Sequence, residues 1–278
     1  MLEELKKIVK GEISSDEKEL SVYSRDASIF EVKPQLVVKP KDTEDIKKLV
    51  KWVADNKNTN KELSLTARSG GTDMTGGTLN NSIILDFTAH FNHLLEVEDN
   101  YAVTEPGVFY RDFEKETLKK NLLLPSYPAS RETCTVGGMV ANNSGGEKSL
   151  RYGKTENYVE ELNVVLGDGE EYVLKAITSE ELEQKKLQNN FEGEIYRQTH
   201  DLLESNYELI QKAKPEVSKN SAGYLLWNVW DRERFDLAQL FTGAQGTLGL
   251  ITKIKFRLIE PKKYSRLLII LKRFEIFG

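Results

Sequence analysis

A short glycine-rich stretch, TARSGGTDMTGG at residues 66–77, constrains the fold of this chain more than any other feature. It stands between two runs that predict β-strands, residues 63–67 and residues 82–87. Glycine adopts positive φ and leaves backbone amides uncovered, so consecutive amides of this kind can bind an anion. The Walker phosphate loop needs a lysine, which is missing here, and the Rossmann loop leads directly into a helix rather than a strand. The stretch therefore predicts either a tight turn or a phosphate site built from loop amides and Arg68.

Composition excludes several classes of protein. The 39 basic and 44 acidic residues give a formal net charge of −5, which argues against a dedicated nucleic-acid binder. The single cysteine, Cys134, excludes an internal disulfide and is typical of a reducing compartment. The N-terminus lacks the apolar core of a signal peptide, and the longest apolar run, residues 267–271, is too short to span a membrane. We therefore expect a cytoplasmic protein without a transmembrane segment.

Hydrophobic periodicity predicts a first α/β unit over residues 1–95. A helix over residues 2–9 is followed by a strand at residues 35–40 and by a helix that Thr43 caps. The two strands on either side of the glycine-rich stretch complete the unit. The stretch is therefore predicted to join the second and third of its strands.

A second unit is predicted over residues 96–262. The turn sequence Gly167-Asp168-Gly169 lies between two strand-like runs and predicts a β-hairpin over residues 159–175. Polar, periodic sequence over residues 179–214 predicts helices, with a surface loop near residues 188–190. The other predicted elements are a strand over residues 101–107, a helix over residues 109–120 and a closing strand over residues 248–259.

Two further segments are rich in glycine. Residues 125–146, PSYPASRETCTVGGMVANNSGG, are small, kinked and polar, which suits a backbone packed against a flat ligand. A purely structural loop of this length would be uncommon. Residues 241–258, FTGAQGTLGLITKIKFRL, add a third glycine cluster that leads into the closing strand.

In this order, the three segments resemble the FAD-binding domain, of the p-cresol-methylhydroxylase type, of the vanillyl-alcohol-oxidase flavoprotein superfamily. The D-lactate dehydrogenase and glycolate oxidase flavoproteins are the most similar branch. The family's Arg-Gly-rich pyrophosphate loop matches residues 68–77. Its Gly-Ser-Glu-Gly-Thr-Leu-Gly signature is present as residues 243–249, with Ala244 and Gln245 in place of serine and glutamate, and residues 219–226 resemble the Ser-Gly-Tyr element before it. The family's Pro-x-Ser, Thr-x-Gly-Gly and Asn-x-Gly-Gly elements match Pro128, Ser130, Thr135, Gly137, Gly138, Asn143, Gly145 and Gly146.

The resemblance covers residues 36–258 and implies an α+β fold in which two α/β subdomains sandwich FAD. By position, the backbone amides of residues 69–72 and of Gly76 would hold the FAD pyrophosphate. Arg68 would brace this loop or add positive potential. In the first part of the second segment, residues 128–130 and 133–138 would line the cofactor between pyrophosphate and flavin.

The end of the second segment, residues 141–146, would run along the isoalloxazine. Asn142 and Asn143 would either hydrogen-bond the flavin edge or form a turn. The hairpin near residues 164–165 and the segment over residues 246–251 would flank the adenine-ribose end or the back of the flavin. The resemblance thus implies these cofactor-binding residues: Arg68, Ser69, Gly70, Gly71, Thr72, Gly76, Pro128, Ala129, Ser130, Thr133, Thr135, Gly137, Gly138, Ala141, Asn142, Asn143, Gly145, Gly146, Gly246 and Ile251.

Non-covalent FAD is expected. Family members that attach FAD covalently commonly use a histidine at the place of Thr72, and some add a cysteine one residue away from Cys134. A buried structural thiol is the expected state of Cys134. His90 and His93 are expected to be surface or packing residues, since no carboxylate completes a metal site with them, and no metal is expected.

In the family, the closing strand leads into a cap domain that carries the substrate-binding and catalytic base residues. Residues 263–278 resemble only its beginning, so no catalytic residue is assigned and the chain is expected to be a truncated or split part of a larger enzyme. The resemblance implies a 2-hydroxy-acid dehydrogenase of the D-lactate or glycolate type, with a quinone, cytochrome or iron–sulfur partner as electron acceptor. Three alternatives stay open: UDP-N-acetylenolpyruvoylglucosamine reductase, the FAD subunit of molybdenum hydroxylases, and a non-catalytic FAD-binding electron-transfer module.

Overall fold

The structure, a computed structural model, describes residues 1–217, 220 and 222–262, and its strands form two sheets. The first sheet has the order β1-β2-β4-β3, and β1 is the one antiparallel strand in it. Its strands are β1 (Glu12–Ser14), β2 (Leu36–Lys39), β3 (Leu65–Arg68) and β4 (Ile83–Asp86). Three helices accompany it, namely α1 (Leu2–Ile8), α2 (Glu17–Tyr23) and α3 (Thr43–Asn56).

The glycine-rich stretch forms an unusual connection in this sheet. Strands β3 and β4 are parallel neighbours, so the chain must cross from the end of β3 back to the start of β4. Parallel neighbours are usually joined through a helix. Here the crossover is a loop over residues 69–82, which contains no helix. We call these residues the crossover loop.

The second sheet is antiparallel throughout and has the order β5-β6-β10-β7-β8-β9. Its strands are β5 (Leu94–Val97), β6 (Tyr101–Thr104), β7 (Val159–Val165), β8 (Glu171–Thr178), β9 (Arg234–Asp236) and β10 (Leu250–Arg257). The helices that follow α3 are α4 (Tyr110–Leu118), α5 (Val136–Ala141), α6 (Ser149–Tyr152), α7 (Ser179–Lys186), α8 (Phe191–Ser205), α9 (Tyr207–Ala213) and α10 (Leu237–Phe241).

Each sheet has its own hydrophobic core, and the two cores meet at one end of the second sheet. Val165 on β7 and Leu250 on β10 are paired in register and belong to the core of the first sheet. The hairpin turn also docks on α3, where Lys47 forms a 2.9 Å ion pair with Glu170. The two sheets are therefore packed together as parts of one structure.

The predicted α+β architecture is confirmed, with corrections in its details. The cap of α3 was predicted at Thr43, but the Asp42 carboxylate accepts the Asp45 amide and Thr43 is already helical. Helix α5 was not predicted, since residues 125–146 were interpreted only as a small, kinked and polar segment. The second sheet begins at Leu94, and the predicted division at residue 96 stays a prediction. The segment over residues 263–278 lies outside the described residues.

No helix within the described residues is long and apolar enough to cross a membrane.

Candidate functional site

A cavity of about 560 Å³ lies where the three glycine-rich segments meet. This volume is within the range of small-molecule sites, roughly 300–1,000 Å³. Its walls are mainly apolar and include Phe87, Pro106, Phe241, Leu248 and Ile251. The crossover loop supplies much of the polar surface. The cavity can therefore take a ligand that has both a flat apolar part and a polar part.

The crossover loop is seated tightly on the second glycine-rich segment. A Cβ added at Gly70 would lie 2.5 Å from the Thr133 carbonyl oxygen, so only glycine allows this approach. The hydroxyl groups of Ser69 and Thr135 are hydrogen-bonded to each other. Gly71 has φ of +62°, a backbone conformation that residues other than glycine rarely adopt. Close packing and backbone conformation together explain the first glycine pair.

The amides of the crossover loop divide into two groups. Those of residues 70–74 donate to no acceptor within the part of the chain that the structure describes. Those of Thr75 and Gly77 donate to the Asp73 carboxylate, at 3.0 and 2.7 Å. Residues 70–73 are half-buried, Met74 is exposed, and all five line the cavity. The amides of the first half of the loop are thus available to a ligand in the cavity.

Asp73 fixes the second half of the loop. Its carboxylate also accepts the Thr75 hydroxyl at 2.8 Å. Burial disfavours the charged carboxylate, but the hydrogen bonds from Thr75 and Gly77 outweigh it and hold the pKa of Asp73 below its usual value. The side chain is therefore ionised at neutral pH and acts as an acceptor that keeps the turn closed.

Helix α5 begins at the cavity wall, but its first amides are already used. The amides of Val136 and Gly137 each donate at 2.9 Å to the carbonyl oxygens of Val108 and Pro106. The amide of Gly138 donates to the Thr135 hydroxyl at 3.3 Å. An anion in the cavity would therefore find unused backbone donors on the crossover loop and not at the start of this helix.

Gly137 has a packing role. A Cβ at this position would lie 2.5 Å from the Pro106 Cβ and 2.7 Å from the Pro106 carbonyl oxygen. The absence of a side chain lets α5 approach the turn that follows β6. This turn, like the start of α5, lines the cavity.

The third glycine-rich segment is docked on the end of α5. The amides of Gly243 and Gln245 donate to the carbonyl oxygens of Val140 and Ala141, both at 2.9 Å. Both donors have positive φ, +90° and +53°. The segment then runs along the cavity from Ala244 into β10. All three segments therefore contribute walls to the same cavity.

Most of the predicted cofactor-binding residues line this cavity, and four do not. Gly76 packs against Phe30 instead. The Asn143 side chain hydrogen-bonds to Glu156, and its φ of +44° is that of a turn residue. Gly145 and Gly146 make close backbone approaches, to Ser149 and to Tyr127. The residues that line the cavity are Arg68, Ser69, Gly70, Gly71, Thr72, Pro128, Ala129, Ser130, Thr133, Thr135, Gly137, Gly138, Ala141, Asn142, Gly246 and Ile251.

Sequence reasoning missed several cavity residues. Asp73 lies inside the glycine-rich stretch. The neighbouring backbone amides need hydrogen-bond acceptors, and this could have indicated a role for its carboxylate. Pro106 was signalled only as the end of a strand. Phe87, Ala27 and Phe241 carry no pattern that separates them from ordinary core or loop residues, yet they line the cavity.

Ionisable side chains are scarce at the cavity. Among the described residues they are Arg68, Asp73 and Cys134. Cys134 is buried, and burial raises the pKa of its thiol to about 11. No group of three or more potential metal ligands occurs among the residues that the structure describes.

The histidines lie elsewhere. His90 and His93 each contact a glutamate at 2.7 Å, Glu12 and Glu105 respectively. His200 packs against the Trp230 ring, with a centroid distance of 5.3 Å. None of the three lines the cavity.

A family model described as an FAD binding domain matches residues 34–175. D-2-hydroxyglutarate dehydrogenase of Pseudomonas putida is 30% identical over 259 residues, which cover 92% of this chain and 26% of the relative. The glycolate oxidase subunit GlcD of Bacillus subtilis is 28% identical, over 90% of this chain and 42% of the relative. D-lactate dehydrogenase of Archaeoglobus fulgidus is 26% identical, over 84% of this chain and 41% of the relative. The chain thus spans less than half the length of each of these relatives.

Among solved structures, an alkyldihydroxyacetonephosphate synthase superimposes with a TM-score of 0.63 at 18% identity. The match covers 95% of this chain and 40% of that structure. At this identity, the likeness shows a shared fold.

Proposed function

Because this chain belongs to the FAD binding domain family, we propose that it is the FAD-binding part of a flavin-dependent dehydrogenase of 2-hydroxy acids. The observation that carries the proposal is the row of unused amides over residues 70–74 at the edge of a largely apolar cavity. The names of the relatives supply the substrate class, since all three act on or are named for a 2-hydroxy acid.

The residues present fit FAD on physical grounds. A diphosphate needs several N–H donors, and the amides of residues 70–74, which line the cavity, have no protein acceptor among the described residues. An isoalloxazine needs a largely apolar crevice, and Pro106, Phe241 and Leu248 are among the apolar residues that line the cavity.

Bound FAD would supply the redox chemistry, by accepting a hydride equivalent from the hydroxy acid. The residues of this chain would bind and orient it. The amides of residues 70–74 would hold the diphosphate, and the Ser69–Thr135 hydrogen bond would fix the distance between the two loops that embrace it. Phe87 and Phe241 would exclude water from the cavity wall.

The rest of the functional assignment is part of the same proposal. We propose a division into units at residues 1–95 and 96–262, with residues 263–278 as the beginning of a substrate-binding cap. Electrons would pass to a quinone, cytochrome or iron–sulfur partner. We place the protein in the cytoplasm on account of its lone, buried thiol.

Titration of flavin-free protein with FAD tests the proposal. We expect one FAD per chain, and weaker binding of FMN because FMN lacks the second phosphate that the loop amides would contact. Folded protein that binds neither flavin would contradict the proposal. Rapid reduction of the bound flavin by NADPH would contradict the hydroxy-acid assignment and favour the reductase alternative. The hydroxy-acid assignment would be supported if the product of the longest reading frame that contains these residues turned over D-2-hydroxyglutarate, D-lactate or glycolate.

Cys134 offers a direct probe of where FAD binds. Cys134 lines the cavity, and it is the only cysteine of the chain, so one reagent reports on one position. We expect 5,5′-dithiobis(2-nitrobenzoate) to react slowly with the flavin-free protein at pH 8, because a thiol with a pKa of about 11 is mostly protonated there. FAD at 100 times its Kd should slow the reaction by about 100-fold. Labelling at an unchanged rate would place FAD outside this cavity.

The flavin is expected to be non-covalent. Thr72 lines the cavity at the position where relatives with a covalent link carry histidine, and the Cys134 thiol is protonated at neutral pH. Precipitation with trichloroacetic acid should release all flavin absorbance into the supernatant. If colour stayed in the pellet for wild type and not for Cys134→Ser, the thiol would be the point of attachment.

A further inference from the structure

The segment over residues 23–31 contacts the cavity although it precedes the residues that the family model matches, which begin at residue 34. Ala27 lines the cavity. Phe30 lies against the crossover loop, where a Cβ added at Gly76 would be 3.0 Å from its ring. We call residues 23–31 the N-terminal strap.

Arg68, the last residue of β3, joins this strap to the start of the crossover loop. Its guanidinium donates through Nη1 to the Tyr23 carbonyl oxygen at 3.0 Å and through Nη2 to the Arg25 carbonyl oxygen at 2.6 Å. It also lies over the Tyr23 ring, 5.2 Å from the centroid. A planar fork can reach two carbonyl groups at once, which a lysine ammonium on one flexible stem cannot reproduce. The donors of Arg68 are thus directed at the strap backbone.

Two more contacts hold the strap from other directions. The Thr78 hydroxyl, near the end of the crossover loop, donates to the Asp26 carboxylate at 3.1 Å. The Tyr23 hydroxyl donates to the Asp86 carboxylate at 2.6 Å. Burial, together with this hydrogen bond, raises the pKa of Tyr23, so the hydroxyl remains a donor over the whole physiological range. The strap is therefore attached to both ends of the crossover loop and to β4.

We propose that the N-terminal strap is a wall of the FAD site and that Arg68 is the positioning residue that holds it there. The proposal rests on the proposed function, because the ligand of the cavity is taken to be FAD. In this proposal the Arg68 guanidinium hydrogen-bonds to backbone carbonyl groups of the strap rather than to the ligand. The amides of the crossover loop are then the donors for the diphosphate. Packing of the strap against the cavity would then strengthen FAD binding, and bound FAD would in turn stabilise the strap in this position.

The test compares Arg68→Lys and Arg68→Gln with wild type in two measurements. The first is the Kd for FAD. The second is the rate at which an arginine-specific protease cuts the flavin-free protein after Arg25, an exposed strap residue. Both variants should weaken FAD binding by about tenfold or more, since each loses hydrogen bonds from a charged donor. Both should also be cut faster after Arg25, and saturating FAD should slow the cut in wild type.

Arg197→Lys is the matched control. Arg197 also donates to two backbone carbonyl groups, those of Lys186 and Gln188, but on α8, away from the cavity. This variant should leave the Kd for FAD and the cut after Arg25 unchanged. Circular dichroism establishes that each variant is folded.

Ala27→Trp tests the wall from the strap side. Ala27 is exposed and lines the cavity, so a large side chain there has room in the flavin-free protein and competes with the ligand. FAD binding should weaken while the melting temperature of the flavin-free protein stays the same.

The outcomes separate the proposal from its premise. Wild-type affinity in Arg68→Lys, or an unchanged cut in Arg68→Gln, would overturn the positioning role and favour a purely electrostatic one. Unchanged affinity in Ala27→Trp would overturn the wall. If wild-type protein itself bound no FAD, the proposed function would be wrong, and so would the proposal that the strap is a wall of the FAD site. Digestion of the flavin-free protein would still decide whether Arg68 holds the strap.

Discussion

Valine in place of Gly71 is expected to weaken FAD binding by about 5- to 150-fold, the equivalent of the roughly 1–3 kcal/mol that a side chain costs in an unfavourable backbone conformation. Gly71 has φ of +62°, and a Cβ there would lie 2.8 Å from Nη2 of Arg68. The substitution would therefore both strain the loop that carries the unused amides and push against the side chain that holds the N-terminal strap. Isothermal titration of flavin-free protein with FAD measures the effect.

Gly167→Val is the matched control for this substitution. Gly167 lies in the hairpin turn, has no positive φ, and a Cβ there would meet no atom within 4 Å. Its variant should bind FAD like wild type. Equal affinity of Gly71→Val and Gly167→Val, with both proteins folded by circular dichroism, would show that the crossover loop does not hold the cofactor.

The FAD-loaded chain of 278 residues is expected not to be reduced by D-2-hydroxyglutarate, D-lactate or glycolate at an enzymatic rate, although dithionite reduces it. Hydride removal from a hydroxy acid needs a base for the hydroxyl proton, and a positioned base contributes about 10²- to 10⁴-fold. The ionisable residues that line the cavity, among those that the structure describes, are unsuited to this role. Arg68 is a cation engaged with carbonyl groups, Asp73 has a lowered pKa, and Cys134 has a raised one.

Anaerobic mixing with each acid, followed by flavin absorbance, measures this rate. A control with dithionite establishes that the bound flavin is redox-active. Fast bleaching by one enantiomer of one acid would mean that these residues already contain a catalytic base. Asp73→Asn would then be the first variant to assay, because Asp73 is the one carboxylate at the cavity among the described residues.

Local sequence patterns predicted most of the strands and long helices of this fold. Strand β4 is a short apolar run that is buried at every residue, and helix α3 follows helical spacing because it buries one face against a core. Helix α5 could not be predicted in the same way, since Gly137 and Gly138 disfavour helix locally. Tertiary contacts stabilise it: the amides of its first turn bond to Val108, Pro106 and Thr135.

The candidate site was predictable where it depends on exposed backbone. Glycine pairs indicate from the sequence alone where the backbone carries no side chains, and the resemblance to flavoproteins indicated that the three glycine-rich segments belong to one site. The N-terminal strap was not predictable, because it is irregular and is held by contacts from Arg68 and Thr78 that are distant in the sequence. Asn143 was ambiguous for a related reason, since only its partner Glu156 decides which way the amide points.

The crossover loop, which joins the parallel neighbours β3 and β4, also determines how this chain can change in length. An ordinary surface loop tolerates insertions at small entropic cost. Between β3 and β4, however, residues 69–82 must place Arg68 opposite Asp86 and at the same time seat Gly70 against Thr133. An added or deleted residue would break one of these two arrangements. Length variation among related sequences, and any engineered graft, should therefore avoid this loop.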